Sequence, residues 1–292
     1  MPYRRIARPN GQIDFAQRVL QEAFDARLFS GPCVDLFALA TARGIYELHL
    51  RPLMVDGRLL LMRSGFVVQL NDQNRATFSL KGARTPELTK KQRFTFAHEI
   101  AHTLTYDVTQ APPSEIPRVV RGIAEHGYLD DPEKNIEAFC QISAGLMLVP
   151  GRSLRTELTK LGHEQVDSVR VLLALADRFQ VSPEVLVHRL SQSSESAGLR
   201  AHGYALMLVG ESDSRQQVRA LLFSSHMLCE ITRPSLYRGV TTWLRRNHLP
   251  ASIARADSRE SEWRIARSTG TLNVKRTRYS GNSWFIEFSL EQ

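Results

Sequence analysis

The chain has 292 residues, 42% of them hydrophobic and 23% charged, with a net charge of +8; this is a globular composition, long enough for two or three modules and too apolar for a disordered chain. No apolar run approaches the roughly 18–20 residues of a membrane span, and the opening MPYRRIARPNGQ lacks the apolar centre of a secretory signal, so a soluble, cytoplasmic protein with no membrane partner is expected. Cys33, Cys140 and Cys229 are widely separated without C-x-x-C spacing, which indicates neither a disulfide framework nor a cysteine zinc site and reads as three small buried residues.

The stretch IDFAQRVLQEAF (13–24) spaces its apolar groups as a helix does, and VDLFALATARG (34–44) repeats this before a glycine stop. YELHLRPL, GRLLLMRSG and FVVQLND follow, separated by D-G and S-G turn signals, and predict a small antiparallel sheet, with residues 73–88 as a loop. Residues 90–106 predict a helix. A connector over 107–131, with Pro112 and Pro113, is expected to be irregular at least in part, and a second helix over 133–148 stops at Pro150. DSVRVLLALADRFQ and VSPEVLVHRLSQ predict a helix pair in which Ser182 caps and Pro183 begins the second member. SQSSESAG (191–198) has the composition of a linker, and beyond it the alternation of YALMLVG, VRALLFS, TLNVKR and SWFIEFSL implies a β-rich module with a helix-like piece over 236–246. Residues 1–192 carry a charge balance of +3 from 24 basic and 21 acidic residues, and residues 193–292 carry +5 from 14 and 9. The basic excess therefore leans towards the C-terminal module, where it could favour an anionic partner or serve as solvated surface.

One turn of the helix over 90–106 reads His98-Glu99-Ile100-Ala101-His102. Positions i and i+4 share a face about 5–6 Å apart at Cβ, so both imidazoles can address one ion, while Glu99 is rotated aside and can act as a base on water. Phe94, Phe96, Ala97, Ile100, Ala101 and Leu104 make the rest of this helix apolar. Buried polar groups in such a setting are costly unless a ligand or a lined cleft satisfies them. A third ligand must come from elsewhere; Glu137, on the apolar helix NIEAFCQISAGLMLVP, is the candidate, against the alternative of a surface glutamate favoured near a helix start.

The set FVVQLN, QRFTFAHEIAH and, after a long connector, IEAFCQISAGLMLVP resembles the ImmA/IrrE family of metallopeptidases, and most of all its radiation-response regulators. The resemblance implies an α+β chain with a zincin-like metallopeptidase domain over 1–160, a helix-turn-helix-like segment over 161–192 and a C-terminal GAF-like sensor or docking domain over 199–292, the last taking a small-molecule or protein ligand. It implies His98, His102 and Glu137 as metal ligands and Glu99 as catalytic base. Zinc is the default ion and manganese suits the same ligands. It also implies a protein substrate, a helix-turn-helix (XRE-type) repressor whose cleavage induces a stress or DNA-damage response. Two departures, Thr105 where many relatives have histidine and Met147-Leu148-Val149-Pro150 in place of a Leu-Leu-Met-Pro run, remove no ligand.

Tyr106, His126 and Tyr128 are candidate donors to a developing oxyanion by residue type, and the strand 66–71 is a candidate for edge pairing with an extended peptide. The competing reading is a DNA-binding regulator, or a repressor-binding module, with a structural metal. Against it, the second helix of the pair offers Glu184, His188 and Arg189 instead of a row suited to base edges.

Overall fold

A computed structural model describes residues 10–192, apart from 83–84, 128, 164–165 and 167, together with the strands 204–212, 215–223, 260–267, 270–280 and 283–291. It divides into two compact units, one running to Leu154 and including Asp177–Ser182, the other made of Arg155–Ala176 and the chain from Pro183 onward.

In the first unit, helix α1 (Asn10–Ala23) buries Ile13, Ala16, Val19 and Leu20, one stripe at helical spacing. Helix α2 (Leu36–Ala42) starts where the Asp35 carboxylate accepts from the Phe37 and Ala38 amides at 2.9 and 3.1 Å. Gly44, at φ +72, then turns the chain into the sheet. Strands β1 (Ile45–Arg51), β2 (Gly57–Met62), β3 (Gly65–Asn71) and β4 (Ala76–Ser79) form it in the order β2-β3-β1-β4. Strands β1 and β3 are parallel, so the sheet is mixed and departs from the antiparallel one expected. The reason lies in burial: every residue of β3 except Asn71 is buried, so this strand takes the centre and pairs on both sides. Strand β4 lies inside the stretch expected to be a loop; its short sequence ATFS carries little apolar signal and is extended by pairing with β1.

Helix α3 (Lys90–His102) begins with a capping box: Thr89 Oγ1 accepts from the Gln92 amide at 3.2 Å, and Gln92 Oε1 accepts from the Thr89 amide at 3.1 Å. It ends at His102 in a 3-10 turn, Thr103–Thr105, four residues short of the expected end. Arg43 holds this turn from behind. Its Nη2 donates to the Thr103 and Tyr106 carbonyls, both at 2.6 Å, from a buried position. Arg43→Ala would strip a charged donor from two carbonyls and is expected to cost about 2–4 kcal/mol, measurable as a lower urea midpoint; an unchanged midpoint would show that the turn does not need it.

The connector is more regular than expected. It holds the short hairpin β5 (Tyr106–Asp107) and β6 (Ser114–Glu115), then helix α4 (Pro117–His126). Helix α5 (Pro132–Leu148), capped by Asp131, packs against α3, α1 and α4, and the centre of this layer includes Phe96, Ile100 and Phe139, all fully buried. Cys140 is buried in it, whereas Cys33 is exposed, contrary to the expectation of three buried cysteines, because it sits in the irregular run ahead of α2.

After helix α6 (Gly151–Lys160), helices α7 (Val169–Arg178) and α8 (Pro183–Gln192) form the expected pair. In the second unit strands β7 (Tyr204–Ser212), β8 (Arg215–Phe223), β9 (Glu260–Arg267), β10 (Gly270–Ser280) and β11 (Ser283–Glu291) make one antiparallel sheet in the order β8-β7-β11-β10-β9, and α8 packs on β8. The expected helix-like piece over 236–246, most of the linker and Cys229 lie outside the described residues. Among the described residues no helix is long and apolar enough to cross a membrane.

Candidate metal centre

Helix α3 places His98 and His102 one turn apart, with their Nε2 atoms 3.1 Å from each other. Helix α5, packed across it, brings in Glu137: Oε2 lies 3.2 Å from His98 Nε2 and Oε1 lies 3.4 Å from His102 Nε2. Three ligand atoms from two helices thus converge on one point. A tetrahedral ion with bonds of about 2.0–2.1 Å separates its ligand atoms by about 3.3–3.4 Å, so these spacings and this His2Glu donor set fit a divalent ion such as zinc. The imidazoles are set into the wall, with side chains 15% and 23% exposed, while the Glu137 side chain is 55% exposed at the mouth. Glu137 is therefore a surface glutamate by exposure and a member of the cluster by geometry.

Burial pushes both imidazoles below their ordinary value; the neighbouring His102 adds to this at His98, and Glu137 opposes it at both. Both rings are thereby held in the neutral form that a metal needs. Glu99 is pushed up to about 7, first by burial and then by the Glu137 charge, against a hydrogen bond from the Leu59 backbone. A carboxylate poised there suits proton transfer near neutral pH.

The cluster opens into a cavity of about 540 Å³ lined by Gly57 and Leu59 on one side and by Tyr106, Glu115 and Val120 on another. The strand beside it is β2, the sheet edge, and not the 66–71 strand that the sequence pointed to, which is enclosed between β2 and β1. An extended peptide could add to β2 and lie over the cluster. Gly57 makes the close approach: a Cβ there would fall 2.4 Å from Thr95 Cγ2 and 3.2 Å from Glu99 Oε1. Thr95 is held by its own bond to the Lys91 carbonyl at 3.2 Å, so β2 must move away. Gly57→Ala is expected to cost about 1–3 kcal/mol and to displace Glu99; a variant with unaltered thermal midpoint and activity would show that the strand yields freely.

Of the three donor candidates, Tyr106 lines this cavity. His126 does not: its Nδ1 donates to the Gly122 carbonyl at 2.8 Å and its ring stacks on Phe15 at 4.8 Å, which is a packing role. Tyr128 lies outside the described residues. Arg43, Gly57, Leu59 and Glu115 were not singled out from the sequence, and local pattern held no signal for them beyond the D-G turn ahead of Gly57.

Two histidines and a glutamate on packed helices, with a second glutamate beside them and an edge strand alongside, form a cluster that can hold a metal ion. Residues 88–191 match the Peptidase_M78 family model, described as the IrrE N-terminal-like domain, so this part of the chain is similar to that peptidase family. Among solved structures the chain resembles a Mycobacterium tuberculosis transcriptional regulator at 13% identity and a TM-score of 0.50, covering 96% of this chain and 76% of that one. This is a likeness of fold. No curated protein matches.

Proposed function

We propose that the chain is a site-specific endopeptidase in which His98, His102 and Glu137 hold a zinc or manganese ion and Glu99 is the catalytic base. The observation that carries this reading is the convergence of the three ligand atoms with Glu99 buried beside them. An ion bound there supplies Lewis acidity, which lowers the pKa of water towards about 7 and polarises a carbonyl. Glu99 takes the proton of the attacking water and delivers it to the leaving amine. In this reading strand β2 holds the substrate extended, and Tyr106, which lines the same cavity, is the donor to the developing oxyanion.

The substrate we propose is a helix-turn-helix repressor, cut to release a stress or DNA-damage response. The proposed domains are 1–160 for the peptidase, 161–192 for the helix-turn-helix-like segment and 199–292 for a GAF-like sensor or docking module that takes a small-molecule or protein ligand. Direct DNA reading by α8 is disfavoured, because Leu186, Val187, Arg189 and Leu190 are buried and His188 alone on this helix is exposed among the residues whose burial is described. A recognition helix needs a row of exposed side chains for base edges.

The test is incubation of the full chain with the helix-turn-helix repressor encoded nearest to it, with zinc, with manganese and with a chelator. One defined cut, absent with the chelator, is the expected result. A repressor that stays whole with either ion present would refute this substrate, and cutting that persists in the chelator would refute the metal.

A further inference from the structure

We infer that the outer face of the first-unit sheet carries a second ligand site, one for the phosphate group of a small phosphorylated molecule. Cross-strand register assembles it. Arg58 of β2 lies opposite Gln69 of β3, Gln69 opposite His49 of β1, and His49 opposite Thr77 of β4, so one rung of four side chains shares a face. Arg51, two residues beyond His49, lies on that face too, and Arg75 stands just before β4. The three arginines, His49 and Thr77, with Pro52 and Leu53, line a cavity of about 490 Å³, separate from the metal cluster, although Arg58 borders both.

The charges in this cavity are unbalanced. Glu47, on the same strand, pairs with His49 at 2.8 Å, and Asp72, whose amide donates to the Arg51 carbonyl at 3.0 Å, has its carboxylate engaged by the Asn74 amide and Gln92 Nε2. Among the described residues no carboxylate pairs with Arg51, Arg58 or Arg75. Instead Arg51 Nη2 and Arg58 Nε both donate to one neutral oxygen, Gln69 Oε1, and the buried Nε of Arg51 has no partner. A single amide carbonyl cannot offset three guanidinium charges, whereas an anion with several acceptor oxygens can.

A phosphate monoester fits this demand best. It carries close to two charges on three terminal oxygens, and guanidinium forks match it geometrically. A carboxylate, with one charge and two oxygens, would be satisfied by one arginine. The cavity is of small-ligand size, and Pro52 and Leu53 give it an apolar wall. A nucleic-acid strand would need a basic track leading away, but the adjoining loop presents exposed Met54 and Val55 and then Asp56, which is bonded to Lys91 at 2.6 Å.

Calorimetric titration of the full chain at low salt with inorganic pyrophosphate tests this, with citrate and a duplex DNA oligomer run alongside. Saturable one-to-one pyrophosphate binding is expected, weakened at least tenfold by Arg75→Glu and by Arg58→Gln. Arg75 is exposed, so its variant should keep the parent's thermal midpoint even if changes at half-buried Arg51 do not. Absence of saturable binding would overturn the site, as would binding untouched by both variants, which would put the anion at the metal cluster. Equal affinity for citrate would overturn the assignment to phosphate. Binding of the duplex but not of pyrophosphate, lost in the same variants, would make this a nucleic-acid face and overturn the small-ligand reading.

Discussion

Glu99→Gln is expected to lower peptide cleavage by roughly 10²–10⁴-fold, the usual contribution of a positioned base, while metal content and fold are retained. The amide keeps the shape of the carboxyl group and can still accept the hydrogen bond from the Leu59 backbone that holds the side chain under β2. What it loses is the ability to take a proton. Because Glu99 is not among the three converging ligand atoms, the cluster itself should be unaltered. Metal content of the purified variant, measured beside its cleavage rate, separates the two roles. A variant that cuts at the parent rate would remove Glu99 from the mechanism, and one that loses its metal would make Glu99 a contributor to binding.

Glu137→Ala is expected to lower metal affinity by more than about 100-fold. Removal of an outer-shell partner commonly costs 10–100-fold, and in the proposed site Glu137 would supply both a direct ligand atom and the negative charge of the set. Two neutral imidazoles would remain, at 3.1 Å, with no anion to offset a divalent charge. The Glu137 side chain is 55% exposed, so its loss should move the stability of the metal-free protein by no more than about 0.5 kcal/mol. Competition against a chromophoric chelator reads the affinity, and a thermal melt of the metal-free protein reads the fold. If His102→Ala weakens binding and Glu137→Ala does not, the third ligand is another group.

Much of this organisation was legible in residue order because it rests on local physics. The i, i+4 spacing of His98 and His102, the helix start at Pro183, and the stops near Gly44 and Pro150 act over a few residues, and the structure places helices where they predict them. The alternation in the C-terminal module likewise returns as paired strands. Departures fall where pairing partners are distant. Nothing within ATFS announces a strand, since β4 exists through its bonds to β1. Nothing in FVVQLN states that it runs parallel to β1 in the sheet centre, because a period of two reports which face a residue takes and not the direction or neighbour of its strand.

The same division holds for the site. The sequence by itself determined that two imidazoles share a helix face with a glutamate turned aside, since helical geometry requires it. Tertiary structure alone decided the rest: that Glu137, 35 residues beyond His102, closes the cluster at 3.2 and 3.4 Å, that β2 forms the wall over Glu99, and that Arg43 clamps the turn behind the motif. Each of these depends on how helices pack and strands order themselves. Those choices are set by the summed burial of many side chains, and no short stretch of the chain contains them.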